Sequence, residues 1–365
     1  MINISRLLLL LLIPNKKRWL SVQQNYSKNH IVYMLIKAFY ALKSKHMYRL
    51  LMLAFTLALF IVGSELGAAA VQSPSATLDW APGPFTKYAG NPILTPQGDG
   101  FESWAVFNPA VILKDHTFCM LYRAQDHNGT SRIGLAKSVD GINFTRRPEP
   151  VLSPTEPYEI WGGCEDPRVV KFGDTYYMTY TAYNGYRAKL ALATSKDLTH
   201  WEKHGVIIPW PWSKSGAIVP QKINGEYVMY FGDSNIWIAY SNDLLHWKVA
   251  PEPVMRPRSG HFDSRGIEPG PPPIVTDQGI LLIYNGWNND ITYKVGAVLF
   301  SKRDPTQILK RTDQPILEPS EKWERSGQIS NVVFASGLVK KGNDWYLYYG
   351  GADKCINLAI AKSSP

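Results

Sequence analysis

Residues 176–211 read YYMTYTAYNGYRAKLALATSKDLTHWEKHGVIIPWP, and their order sets the fold. An aromatic-rich strand (YYMTYTAY, 176–183) leads to a second apolar strand (LALATS, 190–195). An Asp-bearing turn that ends on an aromatic follows (SKDLTHW, 195–201), then a short apolar strand stopped by prolines (GVIIPWP, 205–211). Proline cannot donate to a sheet ladder, so it ends such a strand. The succession recurs along the chain. Aromatic strands stand at 119–124 (CMLYRA), 227–232 (YVMYFG), 280–286 (ILLIYNG) and 345–351 (WYLYYGG). Partner strands stand at 133–138 (IGLAKS), 236–241 (IWIAYS), 295–301 (VGAVLFS) and 358–363 (LAIAKS), and Asp turns at SVDGINF and SNDLLHW. Proline-stopped strands stand at 91–96 (NPILTP), 149–154 (EPVLSP), 252–257 (EPVMRP) and 314–319 (QPILEP). Five copies with no competing amphipathic helix predict an all-β, five-bladed β-propeller of four-stranded blades. The first proline-stopped strand precedes the first full blade and the last blade lacks one, so the N-terminal strand closes the last blade and hides its edge.

Composition agrees. The 365 residues include 28 Gly, 26 Pro and 12% aromatics, which suits short strands and tight turns around a substantial core. The formal charge is +9, but it is unevenly placed. Residues 1–70 hold nine Lys/Arg against the single acid Glu65, so the rest keeps 30 basic and 29 acidic residues. The basic balance belongs to the leader and predicts no nucleic-acid surface. Within that leader, Met47-Tyr48-Arg49, the 13-residue apolar run Leu50–Val62 and the ending Ala68-Ala69-Ala70 form a secretory signal over 47–70. Thirteen helical residues reach about 20 Å, short of a bilayer core of roughly 30 Å, so no membrane span is expected in the mature protein. An uncleaved anchor is the alternative. Residues 1–46 read as an upstream extension outside the fold, with an organellar presequence as the other reading. Residues 71–76 are a linker, and 77–365 form one secreted or extracytoplasmic domain.

Cys119, Cys164 and Cys355 are scattered and odd in number, so they predict buried thiols rather than a disulfide framework. Asn128-Gly129-Thr130 and Asn143-Phe144-Thr145 are sequons that matter only in a glycosylating host.

In a propeller the innermost strands converge, so the polar residues that open each blade meet. Those segments are WAVFNPAVI (104–112), WGGCEDPRVV (161–170), KSGAIVP (214–220), GIEPGPPPI (266–274) and SNVVFASGL (330–338). Glu165-Asp166 and Glu268 are their acids. Asp-Pro and Glu-Pro also start turns, and an acid beside an Arg also forms structural ion pairs. The repeated axial placement favours chemistry over those readings, with Asp166 as the central acid.

FNPAVI, MLYRA, GCEDPRVV with YYMTYTAY, VPQKINGEYVM, IWIAYSNDLLHW, LLIYNG, PILEP with NVVF, and YYGGAD follow one another over 88–363. In that order they resemble glycoside hydrolase family 130, the β-mannoside phosphorylases and mannosidases. The resemblance implies an oligosaccharide or glycan substrate and no cofactor. It matches Asp166 to the family's general acid, which passes its proton through a sugar hydroxyl with inversion. It matches Asn108, Arg123 and Asp353 to residues that hold the transferred sugar. Glu165, Arg168 and Tyr183 in the matching segments, with Lys214 and Asn285, complete the candidate substrate contacts. Carboxylates and bidentate donors suit sugar hydroxyls.

Phosphorolysis needs cations for inorganic phosphate. The phosphorylase pattern implies a basic residue opening blade three, which Lys214 supplies. It also implies an Arg after the YVM strand, a Lys opening blade four and a His in the LIY strand. Here those places hold Tyr230-Phe231-Gly232-Asp233, Gly266-Ile267-Glu268 and Asn285. Carboxylates there repel phosphate and activate water, so an inverting β-mannosidase is the first expectation, and the resemblance to the family's hydrolytic branch implies β-1,2-linked substrates. Glu268 is the first candidate base and Asp233 the second, and inversion by direct attack sets acid and base about 6.5–9.5 Å apart. A phosphorylase is the alternative, and a non-catalytic sugar-binding propeller, or another glycosidase family of this fold, the third reading. Arabinan- and fructan-cleaving relatives place an Asp where Asn108 stands.

His127, His200, His246 and His261 lack metal-ligand spacing, and no metal is expected. Trp104, Trp161, Trp212, Trp237 and Trp287 stack on sugars or pack between blades, with packing favoured for any one. Gly162-Gly163 precedes no helix pattern and is not a nucleotide loop.

Overall fold

A computed structural model describes residues 78–362. The expected secretory signal at 47–70, the expected extension before it and the expected linker at 71–76 lie outside the described residues. Within them the chain is strands and turns, with one short helix, α1 (Lys322–Arg325). No helix among the described residues is long and apolar enough to cross a membrane.

Strand β1 (Thr86–Lys87) comes first, and four antiparallel strands then make unit one: β2 (Ala105–Lys114), β3 (Thr117–Gln125), β4 (Ser131–Ser138) and β5 (Thr145–Arg146). Unit two repeats the pattern with β6 (Gly163–Phe172), β7 (Thr175–Tyr183), β8 (Ala188–Ser195) and β9 (Glu202–Ile208). Units one and two share one sheet through a single parallel bridge, Ser131 to Gly163. Unit three is β10 (Ala217–Ile218), β11 (Tyr227–Phe231), β12 (Trp237–Ser241) and β13 (Lys248–Val249). In unit four the first strand is interrupted, and β14 (Gly266–Pro269) and β15 (Ile274–Val275) both pair with β16 (Ile280–Trp287). β17 (Tyr293–Phe300) and β18 (Ile308–Arg311) complete it. Unit five is β19 (Val333–Lys341), β20 (Asp344–Gly351) and β21 (Cys355–Lys362), with β1 as its outer strand.

Neighbouring units are joined in two ways. Backbone hydrogen bonds seal each junction: Ser131 N to Gly162 O (2.8 Å), Ser213 N to Ala188 O (2.9 Å), Ile267 N to Ser234 O (3.3 Å) and Tyr293 N to Asn331 O (2.9 Å). The fifth, Val106 N to Lys354 O at 3.2 Å, joins the last unit to the first. The buried core falls into five clusters, one at each junction. Leu121, Met178 and Tyr180 share the wedge between units one and two, and Met120, Tyr122, Tyr348 and Leu358 the wedge between five and one. Burial on both faces of each sheet explains the near-continuous apolar runs in the middle strands. All three cysteines are buried free thiols.

The proline-stopped strands differ from expectation. Only 205–208 lies in a regular strand, β9. Leu94, Leu152, Met255 and Leu317 each make one isolated bridge, to Ile356, Ile133, Ile236 and Val295. The outer strand of those units is therefore split: β1, β5, β13 or β18 pairs with one end of the third strand, and the bridge residue with the other. Flanking prolines lack the N–H that a longer ladder needs.

Two recurring devices hold the units. In the Asp turns, Ser138, Ser195 and Ser241 accept backbone N–H groups through Oγ, and Asp140, Asp197 and Asp243 cap the next N–H groups. In four units a buried acid accepts from a middle-strand tyrosine and an outer-strand cation. The sets are Glu102–Tyr122–Arg146, Glu159–Tyr180–Lys203, Asp263–Tyr284–Arg311 and Glu324–Tyr349–Lys87.

Candidate active site

Three of the five first strands bend where they carry the site. β2, β6 and β19 each have a register shift in their pairing with the second strand, at Phe107/Ala110, Glu165/Arg168 and Ala335/Gly337. Asn108 (φ 46°) and Asp166 (φ 49°) take left-handed backbone inside two of these shifts, and Ser215 (φ 51°) does so just before β10. Asn and Asp tolerate that conformation, and a bulge of this kind re-aims one side chain while the following proline keeps the strand extended. Gly163 (φ 103°) permits the close approach to unit one, since a Cβ there would lie 2.1 Å from Ser131 O.

Asp166 is 3% exposed. Its Oδ1 accepts from Asn108 Nδ2 at 2.9 Å and from Arg123 Nη1 at 3.4 Å. The same guanidinium donates to Glu165 Oε1 at 2.6 Å, and Nε to Ser131 Oγ at 3.0 Å. The carbonyl of the Asn108 amide has no protein partner, so a buried acceptor stays open beside the acid pair. Burial pushes the Asp166 carboxyl up, but Arg123, Lys214 and Arg168, with the Asn108 hydrogen bond, outweigh it and hold it below the usual range. Burial dominates at Glu165, only partly offset by Arg123, and raises it. The two carboxylates share Arg123, so they titrate as a pair. Asp353, in the loop after β20, is raised to about 6 by burial against the pull of Arg123.

A second carboxylate set faces Lys214. Its ammonium lies 3.9 Å from Asp233 Oδ2 and 3.9 Å from Glu268 Oε1. Burial lowers the Lys214 pKa, but Glu268, Asp233, Asp166 and Glu165 together raise it, so this lysine stays charged. Ser215 Oγ donates to Glu268 Oε1, and Trp212 Nε1 donates to Asp233 Oδ2 at 2.8 Å. Burial pushes Glu268 up to about 7 despite Lys214, with Asp233 adding to the rise. Asp166, Glu165, Asn108, Arg123, Asp353, Lys214, Asp233 and Glu268 are thus brought together from five units.

Two expected substrate contacts are placed otherwise. Asn285 is fully buried and clamps unit four to unit five, donating to Ala335 O at 3.0 Å and accepting from Ala335 N at 2.8 Å. Arg168 is buried and turned to the backbone, donating to Gly270 O (2.8 Å), Asp166 O (2.9 Å) and Pro269 O (3.2 Å), and to Ser215 Oγ (3.3 Å). Both are supports, because their polar atoms are already satisfied by protein. Tyr183 lies at the edge, its hydroxyl donating to Gly185 O at 2.9 Å.

Three neighbours escape a reading of the sequence. Ser131 and Ser215 position Glu165 and Glu268. Tyr293 stacks on Trp287 at 4.8 Å, and burial together with Glu268 raises its phenol. Only the opening position of Ser215 in KSGAIVP signalled it. No group of three or more His, Cys, Asp or Glu among the described residues is arranged to hold a metal. His200 and His246 bond Asp197 and Asp243 inside the Asp turns, both at 2.7 Å.

Known proteins match this arrangement over nearly all the described residues. A family model described as beta-1,4-mannooligosaccharide phosphorylase, of glycoside hydrolase family 130, spans residues 86–364. The 1,2-beta-oligomannan phosphorylase of Thermoanaerobacter sp. (strain X514) is 41% identical over 288 residues, covering 75% of this chain and 96% of that protein. A solved glycosyl hydrolase from Bacteroides ovatus is 36% identical with a TM-score of 0.75, over 79% of this chain and 98% of that one. A further structure is described with the statement that the family of mannoside phosphorylases contains glycoside hydrolases that target β-1,2 mannosidic linkages in Candida mannan. It is 36% identical with a TM-score of 0.76, over 80% of this chain and 99% of that one. The match runs through every unit that contributes to the two carboxylate sets, and on that ground the chain belongs to glycoside hydrolase family 130.

Proposed function

We propose that this protein cleaves β-mannosides with inversion and with water as nucleophile, at the centre of a closed five-bladed propeller. The five junction wedges and five sealing hydrogen bonds support that closure. One observation carries the choice of nucleophile: Lys214 stands between two carboxylates, 3.9 Å from each. A phosphate there would bring roughly two negative charges against Asp233 and Glu268 with one lysine to offset them. Water meets no such penalty. Glu268 deprotonates it as it attacks the anomeric carbon, with Asp233 the second candidate, and the Glu165–Asp166 pair supplies the proton to the departing oxygen. Asn108, Arg123 and Asp353 hold the sugar that is released. The proton reservoir is the pair rather than Asp166 alone, because one guanidinium, that of Arg123, binds both carboxylates and couples their titration.

The second reading is phosphorolysis. The family model and the 41% identical relative carry phosphorylase names, and in this respect the named relatives favour phosphate over water. The two readings separate in one experiment, in which β-1,2- and β-1,4-manno-oligosaccharides are incubated with and without phosphate and the products followed by NMR. Hydrolysis gives free α-mannose independent of phosphate, and Asp166→Asn and Glu268→Gln each lower the rate by about 10²–10⁴-fold. Mannose 1-phosphate as the main product establishes the second reading. Full activity in Glu268→Gln moves the base to Asp233.

A further inference from the structure

Among the tryptophans that either stack on sugar or pack, the structure separates two groups. Trp287 is buried against Tyr293, and Trp237 packs edge-on against Trp210 at 4.8 Å. Trp161 and Trp212 are 77% and 50% exposed. Trp161 also holds a φ of 86°, a left-handed conformation costly for a bulky residue, one turn of chain before Glu165 and Asp166. Strain of this kind persists where the surroundings fix it, and it clusters at ligand sites.

The surroundings here are continuous. Gly185 lies under Trp161, where an added Cβ would sit 3.3 Å from the Trp161 Cβ. Tyr183 O accepts from Gly162 N at 3.1 Å, and Tyr183 Oη donates to Gly185 O, which fixes the phenol ring against the glycine that lies under Trp161. Trp212 meets Tyr183 edge-on at 6.3 Å and is tied to Asp233 through its indole N–H. Trp161, Tyr183 and Trp212 therefore form one aromatic strip along units two and three, which starts at the turn leading into the strand of Glu165 and Asp166 and ends on Asp233. The candidate contacts for the released sugar lie in units one and five.

We infer that this strip is the subsite for the leaving-group saccharide, with Trp161 and Trp212 stacking on the apolar faces of successive pyranose rings. The inference rests on the β-mannoside reading above. An aromatic face matches the C–H face of a sugar and leaves its hydroxyls to water, which suits an open, exposed position better than burial would. Trp212 has a second part, since its N–H orients a carboxylate of the reaction while its ring carries substrate.

The test is calorimetric titration of Asp166→Asn protein with mannose and with β-linked mannobiose and mannotriose. Affinity is expected to rise with length, and adding Trp161→Ala to lower the mannotriose-to-mannose affinity ratio on the order of tenfold, the range of a single aromatic stack. Trp161→Phe keeps a face and restores most of the ratio, which separates stacking from any change in the loop. A ratio unchanged in Trp161→Ala overturns the strip alone. A parent that binds no β-mannoside of any length overturns the substrate reading, and the strip with it.

Discussion

Glu268 stands under opposed influences. Burial raises its carboxyl, Lys214 favours ionisation, Asp233 disfavours it and the Ser215 hydrogen bond favours it, with a result near 7. A base must be ionised, so kcat/KM should fall as pH drops through about 7, while the alkaline limb follows loss of the proton from the Glu165–Asp166 pair. Two substitutions move the acidic limb in opposite directions. Asp233→Asn removes a negative neighbour, eases ionisation of Glu268 and shifts that limb to lower pH. Ser215→Ala removes a donor to the ionised form and shifts it to higher pH. Full pH–rate profiles of the two variants check both signs, and movement in one direction for both would remove Glu268 from the limb. The axial acids were legible because the repeat places their segments together. The supporting bonds of Arg168 and Asn285 were not legible, because they run to backbone atoms of other units, such as Gly270 O and Ala335 N, and sequence pairs no side chain with distant backbone.

The buried acid–tyrosine–cation sets show what holds a four-stranded element to its own opening loop. Glu159 is fully buried and accepts from Lys203, Tyr180 Oη and the N–H groups of Thr155 and Glu156. Removing one member of such a pair leaves a charge out of water without its partner. Lys203→Met keeps the apolar stem and loses only the ammonium, and it is expected to cost about 3 kcal/mol, read as a lower urea midpoint. An unchanged midpoint would mean the tyrosine and backbone donors suffice. The sets were readable in principle. The tyrosine recurs at one register of each aromatic strand, and the acid precedes it by 20, 21, 21 and 25 residues. Unit three breaks the rule, since Tyr230 Oη donates instead to Pro305 O at 2.7 Å. The strand repeat itself was legible from apolar patterning and proline stops. The split outer strands were not, because alternation cannot distinguish a ladder from a single bridge.

For the molecule as a whole, β1 is a small element with a large task. Its two residues pair with Ile360 and Ala359 of β21, and Lys87 reaches Glu324 at 2.6 Å inside unit five. Lys87→Met should loosen β1 first, so amide hydrogen exchange in Cys355–Lys362 should quicken while β6 and β7 stay protected. Uniform quickening would show that the units open together. The expectation that an N-terminal strand completes the last sheet followed from one unpaired proline-stopped segment, although the pairing residues, Thr86 and Lys87, lie just before it. Because Thr86 faces Ile360 across that pairing, the first and last strands described lie side by side. A short peptide linking them would let the chain be reopened between two other units, such as in the turn at 256–262, and a circular permutant of that kind would keep every sheet while handing the closing task to a different strand.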